Sequence, residues 1–599
     1  MPATSGQYQV RTLPFYLAST HKALVLLSVF FLSACGVQTT KEAVNPADAV
    51  SPSSPLITSE FNRHSAAKDQ IGALLNAEFM LQREGPNKAF GAFYQIALSS
   101  NSNDLPWIER LVRIAVASQN LMHIEKSTNL WLAAAPDAEA AYALKFQVLI
   151  KGNRIPEATT LLTTAQQLSV SLQFLPRYLE DNIRDGEQID VIEKTLAALP
   201  VQSKQDPYVR LSQAHLLLLS GQYHQAIEAS NALLQQENVE KTEALYLIKA
   251  FSLRNINQIK SAIETLEEAT TQLPNRSQLI TPLVDFLVID GRGEQALERF
   301  KSTDLKAVEQ FQVGINLMRA FIEHQQPERA LTTANQLPKE QAELSDQVQY
   351  LTAIALAQQD KREKAIQIME GVTGTLQANA TNQIAIWLYE ENKPELVNTM
   401  VLKRTQRANM PEQIDVISML HEDEGNIDLS YDLICRALDL LPASNVLRYR
   451  KALLADLIGQ WKVTEKELSI LVAKEPDNAQ YLNALGYTLL TRTPRLDEAM
   501  AYIESAYEKS DNDPAIIDSL GWGFFLQGEL ERSSYYLKKA WSILPDADIA
   551  AHYGESLWAQ QHYMEAMTVW QNALDASPEA PLLLDTIKRL SPSLLKDST

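Results

Sequence analysis

The sequence from Pro514 to Pro578 reads PAIIDSLGWGFFLQGELERSSYYLKKAWSILPDADIAAHYGESLWAQQHYMEAMTVWQNALDASP. It contains two similar units, in which an apolar stretch is followed by a second one that ends at Pro545 or Pro578. The second stretches carry small residues that recur along the chain about every 34 residues. The clearest members of this alanine series are Ala226, Ala262, Ala296, Ala330, Ala365, Ala499 and Ala566. Such a period predicts one long solenoid with a continuous binding surface rather than an enzyme with a pocket.

Two spacings within these units are informative. The first apolar stretch has the spacing W-x2-L-G-x2-Y, at Ile517, Leu520, Gly521 and Phe524. The second has the spacing A-x3-F-x2-A-x4-P, at Ala566, Trp570, Ala573 and Pro578, and again at Ala262, Leu266, Ala269 and Pro274. These patterns resemble the tetratricopeptide repeat (TPR) family, over about a third of the chain well and another third weakly. The resemblance implies an all-α, superhelical solenoid of stacked TPR-like helical hairpins.

Glycines and prolines mark the ends of the predicted helices. A glycine that can adopt a left-handed conformation is expected where the first helix of a hairpin ends, as at Gly221, Gly291, Gly425, Gly459 and Gly528. Proline cannot continue a helix interior, so hairpin boundaries are expected at Pro442, Pro476, Pro545 and Pro578. Gly521 allows the two helices of a hairpin to approach closely, and we expect it to face Ala540.

The alanine series extends by spacing to the rest of the chain. Its further members are Ala89, Ile124, Ala158, Ile192, Leu396, Ser430, Thr464 and Ser533. Together they predict fifteen helical hairpins. In the N-terminal part only the spacing supports them, so generic helical hairpins and true TPR units both remain open there. The predicted organisation is 61–205 divergent hairpins, 206–410 TPR-like repeats, 411–590 well-formed TPR repeats and 591–599 a tail.

The N-terminus predicts an export signal. Residues 1–22 carry basic residues and no acid, and Ala23–Leu32 is an apolar run. The run is too short to cross a bilayer, which takes about 20 residues, and is typical of a secretory signal core. Residues 32–35, Leu-Ser-Ala-Cys, then resemble a bacterial lipobox. The resemblance implies that residues 1–34 are a lipoprotein signal peptide and that Cys35 is acylated; an ordinary signal peptide with a chance cysteine is the alternative.

Residues 35–60 are predicted to be a tether. They are rich in Pro, Ser, Thr and Ala, which is typical of disordered segments. Gly36, and not Asp, follows Cys35. Asp at that place commonly retains a lipoprotein in the inner membrane, so the resemblance implies anchoring in the outer membrane, facing the periplasm. Several acyl chains, palmitate among them, give stable anchoring.

The net charge argues against nucleic acid as a partner. The formal net charge is −20, and removal of residues 1–34 takes away Arg11 and Lys22 and no acid, which leaves −22. Because phosphate neutralisation requires a basic face, we expect no nucleic-acid binding. Once Cys35 is acylated, Cys435 has no partner for a disulfide, and we expect it to be a buried small apolar residue.

The sequence contains no motif for catalysis. P-loop, G-x-S-x-G, H-E-x-x-H and C-x-x-C patterns are absent, and the nine histidines are scattered. We therefore predict a protein that is not an enzyme, without catalytic residues, metal or cofactor.

The remaining candidate site is a surface. In TPR units the first helix lines a concave groove, and the register of Gly486, Gly521 and Gly554 places seven residues on it. They are Asn483, Tyr487, Asp518, Trp522, Phe525, Glu555 and Trp558. Mixed aromatic and polar groups suit an extended peptide or a partner helix. The alternative is that Trp522 and Trp558 pack between neighbouring hairpins.

The whole architecture resembles the lipoprotein adaptors of periplasmic carboxyl-terminal-processing proteases. The likeness lies in the lipobox, the tether and the helical repeats that follow. It implies a noncatalytic scaffold that binds the protease and presents substrates such as hydrolases of peptidoglycan cross-links. The alternative is a TPR lipoprotein that assembles an envelope machine for outer-membrane proteins, a pilus secretin or polysaccharide export. An enzyme regulated by TPRs would need a catalytic domain outside the repeats. The repeat pattern leaves no stretch of the sequence for such a domain.

Overall fold

The structure is a computed structural model that describes residues 68–99, 104–182, 186–236, 239–338, 345–406 and 409–595. The predicted signal peptide, Cys35 and the tether lie outside the described residues. The described residues form two compact units, which divide between residues 338 and 345. None of the helices found in the described ranges is both long and apolar enough to span a membrane.

The N-terminal unit consists of sixteen α-helices among its described residues. In order they are α1 (Lys68–Glu84), α2 (Pro86–Ser99), α3 (Leu105–Ala117), α4 (Leu121–Ala134), α5 (Glu139–Lys151), α6 (Ile155–Gln167), α7 (Phe174–Asn182), α8 (Gly186–Ala197), α9 (Pro207–Leu219), α10 (Tyr223–Leu234), α11 (Glu243–Asn255), α12 (Ile259–Gln272), α13 (Ser277–Ile289), α14 (Gly293–Ser302), α15 (Ala307–Glu323) and α16 (Pro327–Ala334).

The C-terminal unit adds fifteen more within its described ranges. They are α17 (Asp346–Gln358), α18 (Arg362–Met369), α19 (Gln377–Glu390), α20 (Val397–Arg404), α21 (Met410–Asp423), α22 (Ile427–Leu440), α23 (Asn445–Leu457), α24 (Trp461–Lys474), α25 (Ala479–Arg492), α26 (Leu496–Lys509), α27 (Pro514–Gln527), α28 (Leu530–Ile543), α29 (Ala547–Ala559), α30 (Tyr563–Ala576) and α31 (Pro581–Leu590).

Successive helices pack as hairpins. From α21 to α31 every helix contacts the next one along the chain, and first helices such as α25, α27 and α29 also contact one another. The residues that the structure describes contain no β-strand. These observations confirm the predicted all-α solenoid of stacked helical hairpins.

The alanine series lies at the contact between the two helices of each hairpin. Its alanines, from Ala89 to Ala566, are 0% exposed, and each is the fourth residue of a second helix. Ser430 replaces alanine in α22, and its hydroxyl lies 2.7 Å from that of Ser418 on α21. Close packing therefore favours a small side chain at this position, and a hydroxyl is tolerated where it finds a partner.

For one hairpin the alanine series predicted the packed position wrongly, by one residue. Leu396 is 48% exposed, whereas Val397 is 0% exposed. The second helix of this hairpin begins with a 3-10 turn, Pro394–Leu396, so its fourth residue is Val397. The tighter winding of a 3-10 turn changes which residue faces the neighbouring helix.

The predicted left-handed glycines are confirmed, since Gly221, Gly291, Gly425, Gly459 and Gly528 have φ between 76° and 83°. The predicted close approach at Gly521 is confirmed, but the expectation that Ala540 faces it was wrong. A Cβ atom at Gly521 would lie 2.7 Å from Leu537, and one at Gly554 would lie 2.0 Å from the Nε1 of Trp570. A large side chain of the second helix therefore occupies the space that each glycine leaves.

Candidate docking surface

Three predicted site residues occupy equivalent places in successive hairpins. Tyr487 on α25, Trp522 on α27 and Glu555 on α29 each directly follow the closely packed glycine of their helix. All three are half-buried. Since these first helices contact one another, the same register brings their side chains to one face of the stack. We call the face formed by Asn483, Tyr487, Asp518, Trp522, Phe525 and Glu555 the first-helix surface.

A buried ion pair joins the second and third of these helices. The Nδ1 of His552 on α29 lies 2.9 and 3.1 Å from the two carboxylate oxygens of Asp518 on α27. Asp518 is 2% exposed and His552 is 4% exposed. Burial favours the neutral imidazole, but the charge and hydrogen bond of Asp518, together with Asp548 and Glu555, outweigh it and raise the pKa of His552. The pair therefore joins two hairpins, and the carboxylate of Asp518 favours the protonated form of His552.

Trp522 is held in an aromatic stack. Its ring lies 4.3 Å from that of His552, at an interplanar angle of 20°. It also lies 4.7 Å from the ring of Phe525, at 11°. A cation near the face of an indole is favourable, so the stack favours the charged form of His552. Trp522 is half-buried and also packs against the apolar core of the neighbouring hairpins.

Further ion pairs extend the surface in both directions along the stack. Arg589 on α31 contacts both oxygens of Glu555, at 2.7 and 2.5 Å. Arg492 on α25 contacts both oxygens of Asp456 on α23, at 3.1 and 3.0 Å. Bidentate arginine–carboxylate contacts are among the stronger charged hydrogen bonds. They fix the orientation of groups that a partner would meet.

Asn483 and Tyr487 lie one helical turn apart on α25. Asn483 is buried, and its Oδ1 has no hydrogen-bond partner among the described residues. Burial and the charges of Asp518, Asp548 and Asp456 raise the pKa of Tyr487. This face of α25 therefore looks onto carboxylates of the neighbouring helices.

Trp558 lies elsewhere. Its ring packs against Tyr563, at 4.6 Å, and against Trp570, at 5.5 Å. Both belong to α30, the second helix of the same hairpin. Of the seven predicted residues, Asn483 and Asp518 are buried and Tyr487, Trp522, Phe525, Glu555 and Trp558 are half-buried. Trp522 packs on His552 of the next hairpin, as the alternative expected, and Trp558 packs against its own hairpin.

The sequence interpretation missed His552, Asp548 and Arg589. A signal for two of them exists in the repeat period. Asp518 and His552 are separated by 34 residues, as are Glu555 and Arg589. An acid and a base one period apart are expected to meet on adjacent hairpins, so this search would have found both pairs.

Two other predicted features concern metals and thiols. Within the described ranges no group of three or more His, Cys, Asp or Glu side chains is placed to hold a metal ion. Cys435 is half-buried rather than buried as expected; it forms no disulfide among the described residues, and its thiol interacts with the hydroxyl of Tyr431. Burial raises the pKa of its thiol, which keeps it protonated at neutral pH.

Comparison with known proteins identifies the repeat. Residues 449–514 match the tetratricopeptide repeat family, and residues 208–401 match the family described as ChAPs (Chs5p-Arf1p-binding proteins). The TPR repeat-containing protein PA4667 of Pseudomonas aeruginosa is 41% identical over 126 residues, which are 21% of this chain and 21% of that protein. Residues 449–514 are therefore similar to a tetratricopeptide repeat.

Other proteins match less closely. Protein O-mannosyl-transferase TMTC1 of Homo sapiens is 24% identical over 193 residues, which are 31% of this chain and 21% of that protein. The matched stretches thus span about a fifth of the length of both curated relatives. Among solved structures, the thermophilic TPR protein TTC0263 of Thermus thermophilus is 20% identical, covers 31% of this chain and 99% of its own, and has a TM-score of 0.28. The structure of Naa15/Naa10 bound to HypK-THB is 10% identical. It covers 89% of this chain and 97% of its own, with a TM-score of 0.31.

TPR arrays are protein–protein interaction scaffolds, and their fold is usually noncatalytic. Each hairpin contributes one first helix to a shared surface, so the array presents side chains at a regular spacing. In this chain that surface carries fixed aromatic and charged groups over several successive hairpins.

Proposed function

We propose that this TPR chain is a noncatalytic scaffold that captures a protein partner on its first-helix surface. One observation carries the proposal: Tyr487, Trp522 and Glu555 recur at one register on three adjacent first helices, half-buried and held by specific contacts. Aromatic anchors with fixed orientation lose little conformational entropy on binding. A row of such groups suits an extended peptide or an amphipathic helix of the partner.

A finer proposal concerns the cellular location of the protein and the identity of its partner. The lipobox residues up to Cys35 and the tether that follows favour a lipid-anchored protein of the outer membrane that faces the periplasm. The resemblance to adaptor lipoproteins favours a carboxyl-terminal-processing protease as partner, with cell-wall hydrolases as presented substrates. A scaffold that holds both raises the effective concentration of substrate at the protease.

The first experiment compares two tryptophans. Trp522→Leu removes an indole from the first-helix surface, and Trp558→Leu removes one that packs within its own hairpin. Tagged variants are recovered from solubilised envelopes, and captured proteins are identified by mass spectrometry. We expect Trp522→Leu to lower recovery of the partner and Trp558→Leu to retain it, with helical circular dichroism unchanged in both. Equal recovery by the two variants would contradict a docking role for the first-helix surface.

The identity of the captured proteins tests the finer proposal. Recovery of a periplasmic protease together with a peptidoglycan hydrolase supports the adaptor function. Recovery of secretin or barrel-assembly components without a protease favours the assembly lipoprotein instead. A purified chain that by itself hydrolysed protein or cell-wall substrate would overturn the noncatalytic proposal.

A separate experiment addresses the anchor. Metabolic labelling with palmitate should mark the wild-type chain and not Cys35→Ser, whereas Cys435→Ser should be labelled like the wild type. Membrane fractionation should then find Cys35→Ser in the soluble periplasmic fraction. Continued labelling of that variant would show that Cys35 is not the lipidation site.

A further inference from the structure

An apolar groove lies between two first helices of the N-terminal unit, α3 and α5. It encloses about 580 Å³, and Val116 on its wall is 43% exposed. The other wall residues are apolar as well: Val112, Ala117, Trp131, Ala140, Ala143 and Leu144. A contiguous exposed apolar surface in a concave site is typical of a place where another polypeptide segment binds.

Two charged side chains on the rim of the groove are unpaired. Glu109 and Arg113 line it from α3, one helical turn apart, and both are exposed. Among the described residues neither side chain takes part in an ion pair or hydrogen bond. The charged contact of α3 with α1 is made by Arg110 instead, which pairs with Glu78. The groove thus offers a ligand one acid and one base, in a fixed order along α3.

The chain that precedes α1 contains a segment of matching chemistry. Residues 56–63 read Leu-Ile-Thr-Ser-Glu-Phe-Asn-Arg and lie outside the described residues. They combine three large apolar side chains with one acid and one base, namely Leu56, Ile57, Phe61, Glu60 and Arg63.

This segment can reach the groove. Phe61 precedes Lys68, the first residue of α1, by seven residues, which span up to about 24 Å. Packed helices lie about 8–10 Å apart, and the pair of Arg110 with Glu78 shows that α3 is a neighbour of α1. Because the segment is attached to α1, its local concentration at the groove is high.

The direction of the chain matches the order of the charges. α1 packs on α2 and α2 packs on α3, and helices joined by short connections alternate in direction, so α1 and α3 point the same way. The link to Lys68 therefore leaves the groove at the N-terminal end of α3, where Glu109 precedes Arg113. A segment that runs this way places Arg63 near Glu109 and Glu60 near Arg113, so opposite charges meet at both places.

We propose that the groove between α3 and α5 binds residues 56–63 of the same chain. The apolar side chains supply most of the binding free energy by leaving water, and the two ion pairs fix direction and register. A partner of this part of the array then has to displace the segment. The inference is independent of the first-helix surface, which belongs to the C-terminal unit.

Disulfide cross-linking tests where the segment lies. The full chain carries Cys35→Ser and Cys435→Ser, which remove its two cysteines, together with Ser59→Cys and Ala117→Cys. In the control, Asn129→Cys replaces Ala117→Cys; Asn129 is exposed on α4, two residues from Trp131 and therefore on another side of that helix. We expect the intramolecular disulfide to form about tenfold faster with Ala117→Cys, because binding raises the effective concentration only in the groove. Non-reducing electrophoresis and mass spectrometry of the linked peptides measure both rates.

Charge reversal in the cross-linking variant tests the predicted ion pairs. Glu60→Arg should slow formation of the disulfide about threefold, which is the size expected for an exposed ion pair. Addition of Arg113→Glu should restore the rate, since opposite charges then meet again. The matched control is Lys151→Glu, which is exposed on α5 outside the groove and makes the same change of net charge. It should not restore the rate, and helical circular dichroism should be the same in all variants.

Four outcomes overturn the inference. One is an equal rate with Ala117→Cys and Asn129→Cys. Another is a rate that Glu60→Arg leaves unchanged, or that Lys151→Glu restores as fully as Arg113→Glu does. Disulfide-linked dimers in place of the intramolecular product would mean that the segment binds a second copy of the chain. Suppression of the cross-link by solubilised envelopes, but not by buffer, would assign the groove to an external partner instead.

Discussion

His421 and His552 are both buried on first helices of the C-terminal unit, yet their surroundings shift their pKa values in opposite directions. The Nε2 of His421 donates to the Oδ1 of Asn398 at 2.7 Å, and its Nδ1 accepts from the hydroxyl of Tyr389. Burial lowers the pKa of His421 to about 4, although Asp432 opposes this. His552 has the carboxylate of Asp518 in place of a neutral amide, and its pKa is raised.

The difference shows what decides the charge of a buried group in such an array. Desolvation alone favours the neutral imidazole at both places. A carboxylate in direct contact opposes that preference, because it stabilises the charged imidazole more strongly than the neutral one. The two sites therefore have different roles: the cluster at His421 joins hairpins through hydrogen bonds to neutral groups, whereas the pair of His552 with Asp518 orients the aromatic stack of the first-helix surface.

The largest expected effect comes from removing the carboxylate. Asp518→Asn leaves His552 buried without its counter-charge, so we expect a loss of about 2–3 kcal/mol in the free energy of unfolding at pH 6. Urea unfolding followed by circular dichroism measures it. Asp477→Asn, an exposed acid that pairs with Lys509, is the control and should leave the midpoint unchanged. A similar loss in both variants would mean that the Asp518–His552 pair has no special role.

The pH dependence of stability should separate the two histidines. The folded pKa of His421 is below its unfolded value, so its contribution to stability is present at neutral pH and is lost as the pH falls below about 6.5. Between pH 7 and pH 5 this amounts to about 2 kcal/mol. His421→Gln should remove that part of the acid sensitivity. If the variant and the wild type lose stability in parallel, His421 is not buried in its neutral form.

His552 should show the reverse behaviour. Its folded pKa is above the unfolded value, so its stabilising contribution is fully present below about pH 6.5 and is lost as the pH rises through the raised pKa. His552→Gln should therefore differ from the wild type most at acidic pH. A difference that grew towards alkaline pH would reverse the assignment.

The smallest effect is a spectroscopic one. With 13C-labelled histidine, NMR titration should find that His552 titrates above pH 6.5, whereas His421 and the likewise buried His215 titrate near pH 4. In Asp518→Asn the pKa of His552 should fall, since the carboxylate that opposed desolvation is gone. His421 should not move, because Asp518 is not among its charged neighbours.

Much of the fold could be predicted from the sequence because its determinants are local and periodic. A small side chain lets the second helix approach the first closely, so Ala226 or Ala499 indicates a hairpin wherever the period repeats. A helix end that needs a positive φ favours glycine, as at Gly528. The period placed Leu396 one residue too early, where a 3-10 turn changes the rise per residue.

The register of the candidate site was also readable from the sequence, since Tyr487, Trp522 and Glu555 follow glycines that the packing requires. Only the tertiary structure decided which side chains meet. Trp522 and Trp558 look alike in sequence, but one stacks on His552 of the next hairpin and the other on Trp570 of its own. The physical reason is that periodicity determines the face of a helix, whereas contacts across hairpins depend on how two neighbouring helices are placed and on the rotamers that this placement allows.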